Sequence, residues 1–257
     1  MPHATRASAL HFVQDAALPP APPRLRGAAE TAELALQAGK AQAAVVGSEV
    51  LSFSPGVDAP WRQDLVHSSL LAQLVAKKRV PDATRIFDWY DAYFDTLAQI
   101  GWAVQDRSFA VYTERSQNFQ AHEAILKVAG SLLGPTAATL SLVSTTLEAL
   151  QSMEADSPWI TLFDRESRSA QSARFQISVA EQAAGGELAV ALMAFGLEAR
   201  TTLTQVLVFK SLASQVTLRH CAARVGIDTL VLEGVRDALR ERLVGHANRF
   251  VRQLPDF

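Results

Sequence analysis

The chain is poor in the residues that usually announce chemistry. Its 257 residues include one cysteine, three methionines, three tyrosines and six histidines. A lone thiol, Cys221, forms no internal disulfide, so the fold needs no oxidising compartment. Nor can it build a cysteine-rich zinc site. The histidines, at positions 3, 11, 67, 122, 220 and 246, show no short ligand spacing. His122-Glu123 begins like an HExxH zinc motif, but Leu126 stands where the second histidine belongs. There is no GxSxG elbow, no GxxxxGK phosphate loop and no GxGxxG turn. An enzyme built on this chain would assemble its site from residues far apart in sequence.

Charge is scarce too. Charged residues make up 19% and the formal net charge is −2. That excludes the strongly basic balance of a protein that wraps nucleic acid, so no nucleic-acid partner is expected. With 49% hydrophobic residues the chain is no candidate for disorder. Apolar runs are short: none reaches the ~18 residues of a membrane-spanning helix. The stretch MPHATRASALHFVQDAALPPAPP lacks the apolar core of a secretory signal. Synthesis in the cytoplasm is therefore expected, with any export following a non-classical route.

The pattern that is present indicates an α+β protein. Residues 1–27 read as a flexible arm, because Pro19-Pro20-Ala21-Pro22-Pro23 favours extended, solvated backbone. Residues 28–257 read as a single domain. Helix formers at 28–38 predict a first helix, and Val45, Val46, Val50, Leu51 and Phe53 one or two short strands. Asp58 and Pro60 open a helix running to about Lys78. Ile86, Trp89, Tyr90, Tyr93, Phe94, Leu97 and Ile100 recur at helical spacing before Gly101. Two helices, 119–133 and 136–152, flank Gly134-Pro135. After Pro158 the period shifts to two, predicting strands at 159–164, 175–182, 187–199, 204–210 and about 215–224. Asp228 caps a closing helix. The expected architecture is an antiparallel sheet of about five strands in the C-terminal half, packed against the N-terminal helices.

Four constellations bear on function. Asp88, Asp91 and Asp95 share a helix face opposite the apolar stripe, as a solvated face does. The segment DRESRSAQSAR (164–174) carries Arg165, Arg168 and Arg174, which suit an anion or a phosphate headgroup; a polar hairpin loop is the plainer reading. His220 and Cys221 are neighbours on a predicted strand, so they point to opposite faces and form no dyad. A free strand cysteine is most simply a small buried hydrophobe. Finally, the hairpin 128–147 (VAGSLLGPTAATLSLVSTTL) has no charged residue. A surface helix normally keeps a charged face. The hairpin is either buried or a surface for lipid or a partner.

The stretches SSLLAQLVAKK (68–78), DWYDAYFDTLAQIGW (88–102) and LFDRESRSAQSARFQ (162–176) resemble an uncharacterised group of soluble bacterial α+β proteins. That resemblance covers roughly residues 40–250 and implies no activity. In size the chain is also similar to Evf-type bacterial virulence factors. That family has an α/β fold and carries a fatty acyl group on one buried cysteine that favours membrane association. The resemblance implies the same covalent acyl group here, on Cys221, and no other cofactor. Three functional expectations follow. The first is a non-enzymatic lipid- or membrane-associating protein of virulence or toxin-like type, acting through the hairpin or an acylated cysteine. The second is a hydrolase-like enzyme drawing on Asp164, Arg165, His220 and Cys221. The third is an assembly protein whose hairpin packs on a protein partner or a second copy.

Overall fold

The computed structural model describes residues 4–21, 35–112, 118–134, 136–200, 202–203, 210–212 and 216–255. Its centre is the uncharged run at 188–197. A strand buried on both faces needs apolar residues at every position. That run lies within β6 (Leu188–Ala199), flanked by β5 (Ser172–Gln182) and β8 (Val216–Gly226), antiparallel on either side. The remaining elements are α1 (Arg6–Asp15), β1 (Gln42–Val46), β2 (Glu49–Phe53), α2 (Ala59–Arg79), α3 (Ile86–Gln99), β3 (Ala110–Val111), β4 (Asn118–Gln120), α4 (Ala121–Leu133), α5 (Ala138–Gln151), α6 (Pro158–Ser167), β7 (Lys210–Leu212), α7 (Thr229–Phe250) and β9 (Val251–Gln253). Seven strands form one sheet in the order β3-β8-β6-β5-β2-β1-β9, and β4 pairs with β7 separately.

The α+β class is as expected, but the sheet is larger and mixed. The short strands at 42–53 form a hairpin that joins it, and β2 runs parallel to β5 with Glu49 opposite Gln176. Edge strands β3 and β9 complete it.

Two segments depart from the sequence reading. Residues 159–164, expected as a strand, lie in helix α6. Pro158 at its first turn supplies the helical φ, and Ile160, Phe163 and Ser167 are buried at helical spacing. A six-residue apolar run fits both periods, and tertiary packing decided. Within the expected arm, residues 6–15 form α1, capped by Thr5 through a reciprocal bond with Ser8. Ala9 and Val13 are fully buried, Arg242 Nη2 donates to Ala16 C=O, and a ring nitrogen of His246 meets Pro19 C=O at 3.1 Å, so this stretch is docked on α7. Most of the expected helix 28–38, and the strand at 204–209, lie outside the described residues.

The sheet separates two apolar cores. One lies under α1, α2, α3 and α7 and takes Leu188, Val190, Leu192 and Ala194 from β6. The other lies under α4, α5 and α6 and takes Ala191, Met193, Phe195 and Leu197. Alternation along β6 thus feeds both layers. Across the seam between α2 and α7, Arg236 clasps the fully buried carboxylate of Asp64, with Nη2 at 2.7 Å.

Candidate functional site

The residues singled out from sequence do not converge. Cys221 is 5% exposed, with its Sγ 3.6 Å from the Asp106 carbonyl. Burial pushes its thiol up to about 11, with the Asp106 charge adding to the effect, so it is protonated at neutral pH. Its side chain belongs to the core beneath α2, α3 and α7, whereas the α4–α5 hairpin packs on the other face. The lone thiol and the uncharged hairpin are therefore two separate features. His220 points away from Cys221, as strand alternation requires, toward Phe195 and Tyr112. Burial lowers its pKa.

The expected arginine loop is instead the last turn of α6 and the start of β5. Arg168 donates to the Leu203 carbonyl at 3.0 Å. Arg165 bonds Glu166 at 2.8 Å and the Arg249 carbonyl at 3.2 Å. Arg174 turns inward and stacks over Trp89, 4.5 Å from the ring centroid. Arg165 and Arg174 share one end of the molecule; Arg168 does not join them. Asp164 lies on α6, and His220 and Cys221 lie on β8. Of the three aspartates on α3, Asp88 pairs with Arg85 and Asp95 with Arg107. No cluster of metal-ligating side chains occurs among the described residues.

A polar cluster that sequence reasoning missed lies between the sheet and α2/α3. Glu49 on β2 is fully buried and accepts from Ser69 Oγ and, at 3.1 Å, from Tyr93 Oη. Ser178 lies close enough to influence the carboxyl, but neither its Oγ nor Glu49 Oε1 makes a hydrogen bond of normal geometry. Burial pushes Glu49 above the ordinary carboxylate range, although these hydroxyls pull the other way. Gln73 Nε2 donates to Val46 C=O at 2.7 Å, and its Oε1 accepts from Ser48 N at 2.9 Å. Gln73 packs against Gly47, whose positive φ closes the β1–β2 turn and where a side chain would strike the amide. Gln176 Nε2 donates at 3.1 Å to Tyr90 Oη, which itself reaches the carbonyls of Phe175 and Phe195 at 2.9 and 2.8 Å. The signal was the polar alternation Arg174, Gln176, Ser178 along β5, which marks one face of a strand otherwise buried.

Two concavities adjoin these features. A cleft of about 1120 Å³ opens at the end of the sheet between Trp102–Arg107, the Gly185-Gly186 turn and the start of α7. Its charged lining is already engaged in part: Arg107 holds Asp95, and Asp228 accepts from Leu230 N and Val231 N as the cap of α7. The other, of about 10 Å³, reaches Ser48, Gln73, Trp89 and Arg174 past Lys77 and Phe250.

The hairpin itself is half-buried. Val128, Ala129, Val143, Thr146 and Leu147 face the sheet, and Thr146 Oγ1 lies 3.1 Å from Ser52 Oγ. Ser131, Thr136, Ala138, Ser141 and Thr145 face outward. The outward surface from 128 to 147 thus carries hydroxyls and methyls and no charge. No helix among the described residues is long and apolar enough to cross a membrane.

No family model and no curated protein matches the chain. Among solved structures, a delta-endotoxin is similar with a TM-score of 0.41 and 14% identity, over 80% of this chain and 90% of that one. The activated Cyt2Ba monomer of Bacillus thuringiensis subsp. israelensis gives 0.36 and 13%, over 69% and 96%. The Evf virulence factor gives 0.36 and 8%, over 82% and 85%. These neighbours are toxin and virulence-factor structures, and at such scores the likeness assigns neither a family nor an activity.

Proposed function

We propose that the protein is a non-enzymatic lipid- or membrane-associating protein whose contact surface is the outer face of the α4–α5 hairpin. The observation that carries this reading is the twenty-residue hairpin without a charge, which exposes Ser131, Thr136, Ala138, Ser141 and Thr145 to solvent. Ordinary surface helices keep charged residues there, because charge costs nothing in water and deters association. On the sheet-facing side the hydroxyl of Thr146 bonds back to the Leu142 carbonyl at 2.8 Å, which leaves the apolar and hydroxyl side chains of the opposite face as the hairpin's outer surface. Each arm is too short to span a bilayer; the hairpin would lie at the interface.

A covalent acyl group on Cys221 is a separate proposal within the same reading. It requires the segment around Asp106 to lift from the thiol, and intact-mass measurement of native protein tests it directly. The enzymatic alternative fits less well. Of the polar cluster around Glu49, Ser48 and Gln73 line a cavity of about 10 Å³, too small for an organic substrate.

Vesicle flotation tests the reading. Wild-type protein is expected to float with vesicles, and Ser141→Glu with Thr145→Glu to remain in the aqueous fraction with an unchanged melting temperature. Wild-type protein that never floats, at neutral or acid pH, removes the reading. A protein partner or a second copy on the hairpin face would then show as association in light scattering.

A further inference from the structure

At the end of the molecule remote from the large cleft, the last turns of α2, α6 and α7 meet. They bring Lys77, Arg165 and Arg249 around one ring: the charges lie 5.6, 5.9 and 5.7 Å from the centroid of Phe250. Beneath this rim is the small cavity, with Arg174 stacked on Trp89 in its wall. Against these four cations the cluster sets Glu166, which already accepts from Lys77 Nζ at 2.9 Å and Arg165 Nε at 2.8 Å. Those partners outweigh its burial and hold its carboxyl below the ordinary range.

Basic residues in a last helical turn offset the negative end of the helix dipole, which accounts for the rim. It does not account for the interior. Arg174 Nε and Trp89 Nε1 are both buried without a hydrogen-bond acceptor among the described residues, and Trp89 is 2% exposed. Buried donors are nearly always paired, and a guanidinium taken from water needs a counter-charge more than most. The cavity of about 10 Å³ has room for about one oxygen atom.

We propose that this end of the protein binds a phosphate group. One phosphate oxygen enters the cavity and accepts from Arg174 Nε and Trp89 Nε1. The remaining oxygens stay at the mouth, among Lys77, Arg165 and Arg249. The phosphate is either free or the headgroup of an acidic lipid; the recognition chemistry is the same. The site does not depend on the hairpin's role.

The test uses the indole N–H resonances of full-length, ¹⁵N-labelled protein. Inorganic phosphate should shift the Trp89 signal saturably and leave Trp61, Trp102 and Trp159 in place. Sodium chloride at equal ionic strength should not reproduce the shift. The exposed double variant Lys77→Gln with Arg249→Gln, which leaves Arg165 on Glu166, should weaken binding about tenfold. Sedimentation with phosphatidic acid vesicles against phosphatidylcholine vesicles then separates the sources. Preference for phosphatidic acid that the double variant loses supports a lipid headgroup; a phosphate shift without that preference supports free phosphate. A Trp89 resonance that phosphate leaves unmoved, or that chloride moves equally, overturns the proposal.

Discussion

Tyr93 on α3 donates a hydrogen bond to Glu49 on β2, 3.1 Å away, across the seam between helical layer and sheet. Among the described residues no cation pairs with this carboxyl; its bonded neighbours are hydroxyls, from Ser69 as well as Tyr93. The group is a buried acid best held in its neutral form.

Its pH consequence has a definite sign. The folded pKa is raised, chiefly by burial. The stability it supports is complete below the ordinary carboxylate value and is lost as pH rises through the folded one. Thermal unfolding should therefore show wild-type protein losing stability as pH rises across this window, from the ordinary carboxylate value to the raised folded one. The Glu49→Gln variant, which keeps both acceptor bonds, should be flat there. Tyr93→Phe should cost about 1–3 kcal/mol at all pH values below the titration of the tyrosine. If Glu49→Gln instead keeps the wild-type pH profile, Glu49 does not titrate in the fold.

His67 on α2 predicts the opposite limb. Burial lowers its pKa to about 4, and the nearby charge of Arg240 on α7 adds to the shift. A depressed histidine loses stability as pH falls, here from its ordinary value of 6.5 toward about 4. Denaturant midpoints across that range should fall for wild-type protein and less for His67→Gln. Equal slopes would place the acid sensitivity elsewhere.

Cys221 should be chemically quiet in the folded protein. With the thiol pushed up to about 11 and covered at the Asp106 carbonyl, little thiolate is available at neutral pH. A disulfide-exchange reagent should react with it only after unfolding. Fast reaction with native protein would mean that the covering segment opens readily, and would favour acylation there.

Much of the fold was legible because its elements follow strong local rules. The aromatic stripe of α3, the Asp228 cap of α7 and the double-sided burial of β6 all appear in the sequence as period or run. Where two periods fit equally, as at 159–164, only packing of Ile160 and Phe163 distinguishes helix from strand. The first helix was hidden by neighbouring prolines, although Thr5 and Ser8 carry a capping pair. The polar cluster was hidden for another reason. Its residues come from four elements: the parallel β2–β5 pairing sets Gln176 opposite Glu49, and packing on the sheet brings Ser69 and Gln73 of α2 and Tyr93 of α3 to them. Parallel pairing leaves no turn signature to read.

The hairpin reading is tested most directly by an environment-sensitive fluorophore placed on its outer face. Ser141→Cys in a Cys221→Ala background carries the label there, and Glu187→Cys in the same background carries it on an exposed turn away from the hairpin. On adding acidic-lipid vesicles, emission from position 141 should shift to the blue while emission from position 187 stays unchanged. Unchanged emission at both positions, with vesicles in excess, would contradict the account.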